Sequence, residues 1–418
     1  MLPQVIDRSK FYLITLRGIS VLAKFLFTTF YFKYSEVAFG EYSLVATTIV
    51  LLVFLMGMDF YSYANRAILE PGSHPQKIIF NQFVLYIILY IILLPVVYLI
   101  FKLEHFLMHY FWLFYLVLIT EHLNLEFYRL MFVFKKPLAA NINLFLRNAL
   151  WVLVAVLFLL VYKRIDIYTV LALWLAGNMA ALLFSFAISL TKRQKISLQH
   201  FKFDKSWIIK GVYVSLPYIL GSLAYKTIEF SDRYLIDFYL GKKAVGIYAF
   251  FANMANVLNI VLFTLVISVL YPVMVESIMK QQKHLFRQTY ERFKKEIIYY
   301  ALATGLLLSV FLPVVLIYIG KTAYVSQIYI FGLLLLANMA LNWSFLYHFV
   351  IYAHKKDWQI FKATAWAAVV NILLNVILIP DWGIAGAAMA TLMSFSVLVV
   401  LKYKQAKILM IFMNNNSG

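Results

Sequence analysis

The run AYKTIEFSDRYLIDFYLGKKAVGIYAFF, Ala224 to Phe251, sets Lys226, Glu229, Asp232 and Arg233 inside or at the rim of an otherwise apolar and aromatic segment. Positions 226, 229 and 233 stand at i, i+3 and i+7, one face of a helix, and Asp232 flanks that face. Arg17 and Lys24 lie seven residues apart in an apolar run near the start of the chain, again on one face. Arg147 sits near the middle of a third run with Asn143 one turn before it, and Glu121 and Lys362 are further charges in apolar surroundings. Such groups can hold an oppositely charged substrate, exchange a proton or bind a cation. They can also neutralise one another, Glu229 with Arg233 at i,i+4 or Asp232 with its neighbour Arg233. The basic members outnumber the acidic ones, so pairing cannot absorb them all, and Lys24, Arg147 and Lys226 are those expected to stay unpaired. A basic cluster lining a water-filled cavity of low dielectric attracts anions.

The elements that carry these charges are membrane helices. Of 418 residues, 64% are hydrophobic, 18% aromatic and only 13% charged, against about 45–50% apolar and 25% charged in soluble domains. Twelve apolar spans can be placed, at 11–31, 38–58, 78–101, 106–125, 138–161, 168–190, 211–235, 244–271, 297–319, 327–351, 359–380 and 383–402. Most are long enough to cross roughly 30 Å of hydrocarbon at about 1.5 Å per residue. The apolar run after MLPQVIDRSK contains Arg17 and Lys24, so it reads as a retained first helix and not as a cleaved signal.

The net charge of +19 follows from where the basic residues lie, and nucleic acid is not expected as a partner. One set of loops holds Arg8, Lys10, Arg66, Lys77, Arg129, Lys135, Lys136, the runs 192–210 and 280–295, Lys355, Lys356 and 402–407. The alternate set holds only Lys33, Lys102, Lys163, Arg164, Lys242, Lys243 and Lys321. This bias puts both termini in the cytoplasm. Loop 191–210 reads as a linker between two halves, 1–206 and 207–418, and loop 272–296 as a helix lying along the membrane surface. An internal repeat fits two halves: VAFGEYSLVA, Val37–Ala46, matches KAVGIYAFFA, Lys243–Ala252, with Gly40 over Gly246 and Tyr42 over Tyr248. Matched halves related by an axis along the membrane normal are a transporter construction.

Catalytic chemistry is not indicated. The GKT at Gly320–Thr322 lacks the Gly five residues earlier that a phosphate-binding loop needs, since Val315 stands there. His105 and His109 have i,i+4 spacing without a metalloprotease pattern, no cysteine is available, and neither a metal nor a cofactor is expected. WGIAGAAMAT, Trp382–Thr391, presents small residues for close helix contact. Pro95, Pro217, Pro272 and Pro313 are expected to kink their helices.

Three segments carry a family resemblance. DRYLIDFYLGKKAVGIYAFFANMANVLN (Asp232–Asn259) resembles the segment of polysaccharide-export flippases in which an Asp-Arg/Lys pair precedes a Gly…Val-Gly-Ile-Tyr turn. LIPDWGIAGAAMAT (Leu378–Thr391) looks like the turn of their last hairpin, and YRLMFVFKKPLAANINLFLRN (Tyr128–Asn148) is similar to their fourth cytoplasmic crossing. The resemblance is to O-antigen type lipid-linked oligosaccharide flippases of the multidrug/oligosaccharidyl-lipid/polysaccharide exporter superfamily. It implies an all-α polytopic membrane protein of about twelve transmembrane helices in two six-helix lobes, related by a pseudo-two-fold axis along the membrane normal. It further implies a non-enzyme of the bacterial inner membrane that moves undecaprenyl-diphosphate-linked oligosaccharide units to the outer leaflet by alternating access, serving lipopolysaccharide or other polysaccharide synthesis alongside a polymerase. The expected substrate contacts are Arg17, Lys24, Arg147, Lys226 and Arg233 around a cationic central cavity. Glu121, Glu229 and Asp232 are the carboxylates for ion pairing or for coupling to a proton gradient, a sodium gradient or the membrane potential. The competing reading is a sodium- or proton-coupled multidrug or metabolite antiporter of the same superfamily, which would want an acidic cavity for cationic drugs.

Overall fold

The structure, a computed structural model, describes residues 8–70, 72–103, 108–190 and 202–415. The first seven residues, His105 and most of the expected linker, 191–201, lie outside the described residues. Among those described there is no strand. The α-helices are α1 (Arg8–Tyr34), α2 (Glu36–Gly57), α3 (Tyr61–Leu69), α4 (Pro75–Leu103), α5 (Phe111–Val133), α6 (Pro137–Phe145), α7 (Trp151–Tyr162), α8 (Ile167–Leu190), α9 (Lys205–Leu240), α10 (Lys242–Leu262), α11 (Ser268–Met279), α12 (Lys283–Tyr318), α13 (Ile328–Ala353) and α14 (Asp357–Asn415). One π-helical turn, Leu146–Leu150, joins α6 to α7, and another, Phe263–Ile267, joins α10 to α11. Helix α14 breaks its helical dihedrals at Gly383. The long rods therefore follow the twelve expected spans in order, with α3 as a short extra helix. Nine of the described helices are long and apolar enough to cross a membrane, and α14 has length for two crossings.

The prolines do not end these helices: Pro95, Pro217, Pro272 and Pro313 all lie within helical runs. The break in α14 falls instead at Gly383, at φ 58° and ψ −141°, a conformation open to glycine and closed to side chains. Just beyond it, a Cβ on Gly386 would strike the Leu378 carbonyl, so the small-residue stretch brings the two arms of α14 together.

Two expectations about the loops are corrected. The stretch 272–296 holds no separate surface helix. α11 runs on to Met279, a turn at 280–282 follows with Gln281 at φ 55°, and α12 then rises without interruption from Lys283 to Tyr318. The reason lies in the sequence: Thr289, Phe293, Ile297 and Ala301 are buried at four-residue steps, so the apolar stripe of the membrane part continues into the charged part and keeps one helix. Likewise Arg129, counted among loop cations, is inside α5.

Helix α9 starts six residues before its apolar span because Asp204 caps it. Asp204 Oδ1 accepts the Trp207 amide at 3.0 Å and the Ser206 hydroxyl at 2.8 Å, and Oδ2 accepts Lys77 Nζ at 2.8 Å. Asn81 fixes the approach, donating to the Lys202 carbonyl and accepting the Asp204 amide. Lys77, then the capping donors, hold the Asp204 carboxyl down to about 2.

By packing, the chain divides into two compact units: Met1–Tyr34 with Val45–Ile219, and Ser35–Leu44 with Leu220–Gly418. The division falls within α9, and the start of α2 belongs with the second unit. In the second unit a core of Ile228, Ala337, Leu341, Ala363, Ala367, Ala368, Phe395 and Leu398 ties α9 to α13 and α14.

Candidate functional site

In the first unit the charges gather on α1, α5 and the Leu146–Leu150 turn. A π-turn carries one extra residue within the helical hydrogen-bond spacing and reorients the side chains around it. Here it delivers Arg147, only 5% exposed, to Glu121 of α5: Nη1 donates to Oε1 at 2.8 Å. The second carboxylate oxygen accepts Trp174 Nε1 at 3.1 Å, and Trp174 stacks on Trp151 with ring centroids 5.3 Å apart. The guanidinium lies 5.8 Å from the Tyr128 ring, and its Nε has no acceptor. Asn143, expected beside Arg147, turns away instead and donates to Asn124 and Ser185 at 2.9 Å each.

Arg147 was expected to be unpaired and is not. Glu121 claims it, because a buried guanidinium without a carboxylate is far costlier than a pair. Lys24 remains. It is exposed, has no carboxylate within 4.0 Å among the described residues, and feels Glu121 and Arg147 only through space. Arg17 is also exposed and spends its Nε on a neutral amide, Asn141 Oδ1, at 2.9 Å. With Glu121 committed to Arg147, Lys24 and Arg17 leave this face of α1 cationic.

In the second unit α9 arranges its four charges differently from the expectation. Lys226 is paired: its Nζ meets Glu229 Oε2 at 2.6 Å and lies 5.0 Å from the Phe230 ring. Glu229 therefore bonds back along the helix to Lys226 rather than forward to Arg233. The Arg233 guanidinium lies 5.2 Å from the centroid of the same Phe230 ring. Asp232 is buried and accepts the Tyr248 hydroxyl and, at 2.8 Å, the Arg233 backbone N–H. Next to it, Ser231 donates to Asn371 Oδ1 at 2.8 Å, and Asn375 donates to the same oxygen at 3.1 Å. Lys226, Glu229, Asp232 and Arg233 carry two charges of each sign, so the expected excess of positive charge is on α1 and not on α9.

Two clusters escaped the sequence reading. Glu126 is fully buried in α5, accepting Gln82 Nε2 and the Tyr86 hydroxyl at 2.8 Å each, together with Arg129 Nη1. His122 sits one turn away and shares a 2.6 Å hydrogen bond with the Tyr90 hydroxyl. The expected fourth span stopped at residue 125, which put Glu126 and Arg129 in a loop; their i,i+3 spacing behind Glu121 and His122 was the available signal. The second cluster is a set of asparagines on α10 and α13. Among the described residues no group of three His, Cys, Asp or Glu could hold a metal ion.

Residues 7–278 match the family of polysaccharide biosynthesis proteins, well over half of the chain. The chain belongs to that family. No characterised protein sequence matches it closely enough to count as a relative. Solved structures share its fold at low identity. An inward-facing multidrug resistance MATE family transporter of the MOP superfamily superposes with a TM-score of 0.76 at 14% identity, covering 96% of each chain. The inward closed form of the lipid II flippase MurJ gives 0.67 at 14% identity, over 96% of this chain and 87% of that one. A MOP superfamily transporter from Pyrococcus furiosus, described as having a binding pocket of reversed polarity, gives 0.68 at 13% identity, over 97% and 95%. The protein is thus a multi-pass membrane protein of the polysaccharide biosynthesis family, with the fold that these transporters and the flippase share.

Proposed function

We propose that the protein flips polyprenyl-diphosphate-linked oligosaccharide units from the cytoplasmic to the outer leaflet of a bacterial inner membrane by alternating access, with both termini in the cytoplasm. The observation that carries this reading is the unneutralised face of α1: Lys24 and Arg17, exposed at membrane depth, with Glu121 taken by Arg147 and no carboxylate paired with either of them among the described residues. Exposure of such groups to hydrocarbon costs about 2.5–3.5 kcal/mol each on insertion scales, so they face water. A diphosphate supplies the missing negative charge. The family supports a saccharide substrate, and the fold shared with a lipid II flippase supports a lipid-linked one.

The membrane potential suits the direction. Carrying a charge of about −2 outward across roughly 100 mV, inside negative, is favourable by about 4–5 kcal/mol. Among the three carboxylates, Glu121 and Glu229 are held by Arg147 and Lys226, so Asp232, held by neutral donors, is the one we assign to coupling with a proton or sodium ion. The sodium- or proton-coupled drug antiporter is disfavoured by the sign of α1.

The test uses the purified chain in vesicles loaded on one leaflet with a synthetic polyprenyl-diphosphate oligosaccharide, following its access to an impermeant lectin. Wild type is expected to equilibrate the leaflets and Lys24→Ala to slow exchange about tenfold or more. Equal rates for both at equal protein level overturn the cationic-face model. Absent flipping alongside gradient-driven export of organic cations identifies the antiporter.

A further inference from the structure

The asparagines of α10 and α13 form one continuous amide cluster at membrane depth. At its centre Asn259 Nδ2 donates to Asn256 Oδ1 and to Asn338 Oδ1, each at 2.8 Å. Asn342 Nδ2 donates to Asn259 Oδ1 and, at 2.7 Å, to the Asn338 backbone carbonyl. These bonds join the two helices and use every polar atom of the Asn259 side chain. They leave others free. Among the described residues the Nδ2 groups of Asn256 and Asn338 donate to no protein atom, and the carboxamide of Asn253, one turn before Asn256, makes no side-chain hydrogen bond. None of these free groups is sealed in the interior: Asn256 is exposed, and Asn253 and Asn338 are half-buried with the free atoms reachable.

A clamp between α10 and α13 needs only the central bonds. Free carboxamide donors facing hydrocarbon would each cost several kcal/mol, so this face of α10 meets water or a polar ligand. The chemistry is specific. A carboxamide offers a donor and an acceptor side by side without charge, which matches a pair of neighbouring hydroxyls, each itself donor and acceptor. It does not match a phosphate, which accepts only, or an apolar tail.

The position also fits. On α13, Ala337 and Leu341 pack against Ile228 of α9, and the adjacent residues Asn338 and Asn342 carry the amide bonds to α10. The cluster therefore lies at the level of the Lys226–Glu229 pair, one helix across. One turn beyond Asn259 the helix passes into the Phe263–Ile267 π-turn, the kind of irregularity that accompanies binding sites in helices.

We infer that Asn253, Asn256 and Asn338, held in place by Asn259 and Asn342, form the subsite for the saccharide hydroxyls of the transported lipid; this rests on the flippase reading above. The subsite takes neutral, polyhydroxylated units and is indifferent to the diphosphate.

The deciding experiment measures affinity of the full chain in lipid nanodiscs for two synthetic probes, a polyprenyl diphosphate bearing an oligosaccharide and the same lipid without sugar. In Asn256→Ala and Asn253→Ala, whose side chains are not part of the central clamp or contribute only an acceptor to it, affinity for the saccharide-bearing lipid is expected to fall about tenfold. Affinity for the bare diphosphate is expected to hold. Equal loss for both lipids would mark the cluster as structural, and no loss for either would remove it from the site; both overturn the subsite while leaving the flippase reading intact. If wild type binds neither lipid, the flippase reading falls and takes the subsite with it. Lys24→Ala serves as the complementary variant, weakening both probes alike.

Discussion

Gly40 and Gly246 meet backbone to backbone. A Cβ on Gly40 would collide with the Lys242 carbonyl oxygen, and one on Gly246 with the Glu36 carbonyl oxygen. The contact is reciprocal: Glu36 and Lys242 stand 206 positions apart, as Gly40 and Gly246 do. The repeat read in the sequence is therefore also a contact, with the two matched helix starts crossing inside the second unit. Beside the crossing, Glu36 accepts Lys321 Nζ at 2.6 Å and the Tyr324 hydroxyl at 2.9 Å, which fixes the start of α2 laterally.

Gly40→Ala is expected to destabilise the protein by about 1–3 kcal/mol or to prevent folding, since one methyl must displace a main chain. Gly18→Ala, where nothing lies within 4 Å, should leave thermal stability unchanged or raise it slightly. Melting of the two variants in detergent, side by side, checks the contrast.

The Arg147–Glu121 pair makes a prediction about coupling. Arg147→Met alone should cost about 3–5 kcal/mol, because it strands a carboxylate in the first unit. Adding Glu121→Gln should recover much of the loss, as expected for two groups that share one interaction. A double-mutant cycle in denaturant or heat measures it; additive losses would show that the pair contributes little. Lys24→Ala, with no partner to strand, should shift stability by less than about 1 kcal/mol.

The α9 cap makes a pH prediction. The folded Asp204 carboxyl sits at about 2, below the ordinary value near 3.9 for an unfolded aspartate. A depressed carboxylate stabilises fully above its unfolded pKa and loses that contribution as pH falls through the folded one. Protection of the Trp207 amide against hydrogen exchange should therefore hold at pH 5 and decline between about pH 4 and 2. Asp204→Asn should flatten that dependence.

Lys135, Gln281 and Lys355 each close a helix in the left-handed region, at φ 55°, 55° and 57°. A glycine there avoids the Cβ penalty. Lys355→Gly is expected to raise stability by up to about 1 kcal/mol, with Lys356→Gly, outside that region, giving none. Unfolding midpoints of the two variants provide the comparison.

Number, order and approximate limits of the helices were legible because membrane spans announce themselves by length and apolarity, which are local properties. The repeat was legible for the same reason. Glu126 was not: its span ends where polar residues begin, and only Gln82, Tyr86 and Arg129, from two helices, make burial of that carboxylate tolerable. The extension of α12 was hidden in the same way, its Phe293 buried and stacked on Phe349 of α13.

By itself, then, the sequence determined that this is a polytopic helical membrane protein with charges at membrane depth on named helix faces, because apolar length and 3.6-residue spacing are written along one chain. Which of those charges are free was decided by tertiary structure alone. Arg147 finds Glu121 from another helix and Asp232 finds Tyr248, whereas Lys24 finds no carboxylate within bonding distance among the described residues. A charge at depth is satisfied or not by what other helices bring to within about 4 Å of it, and no spacing along the chain encodes that distance.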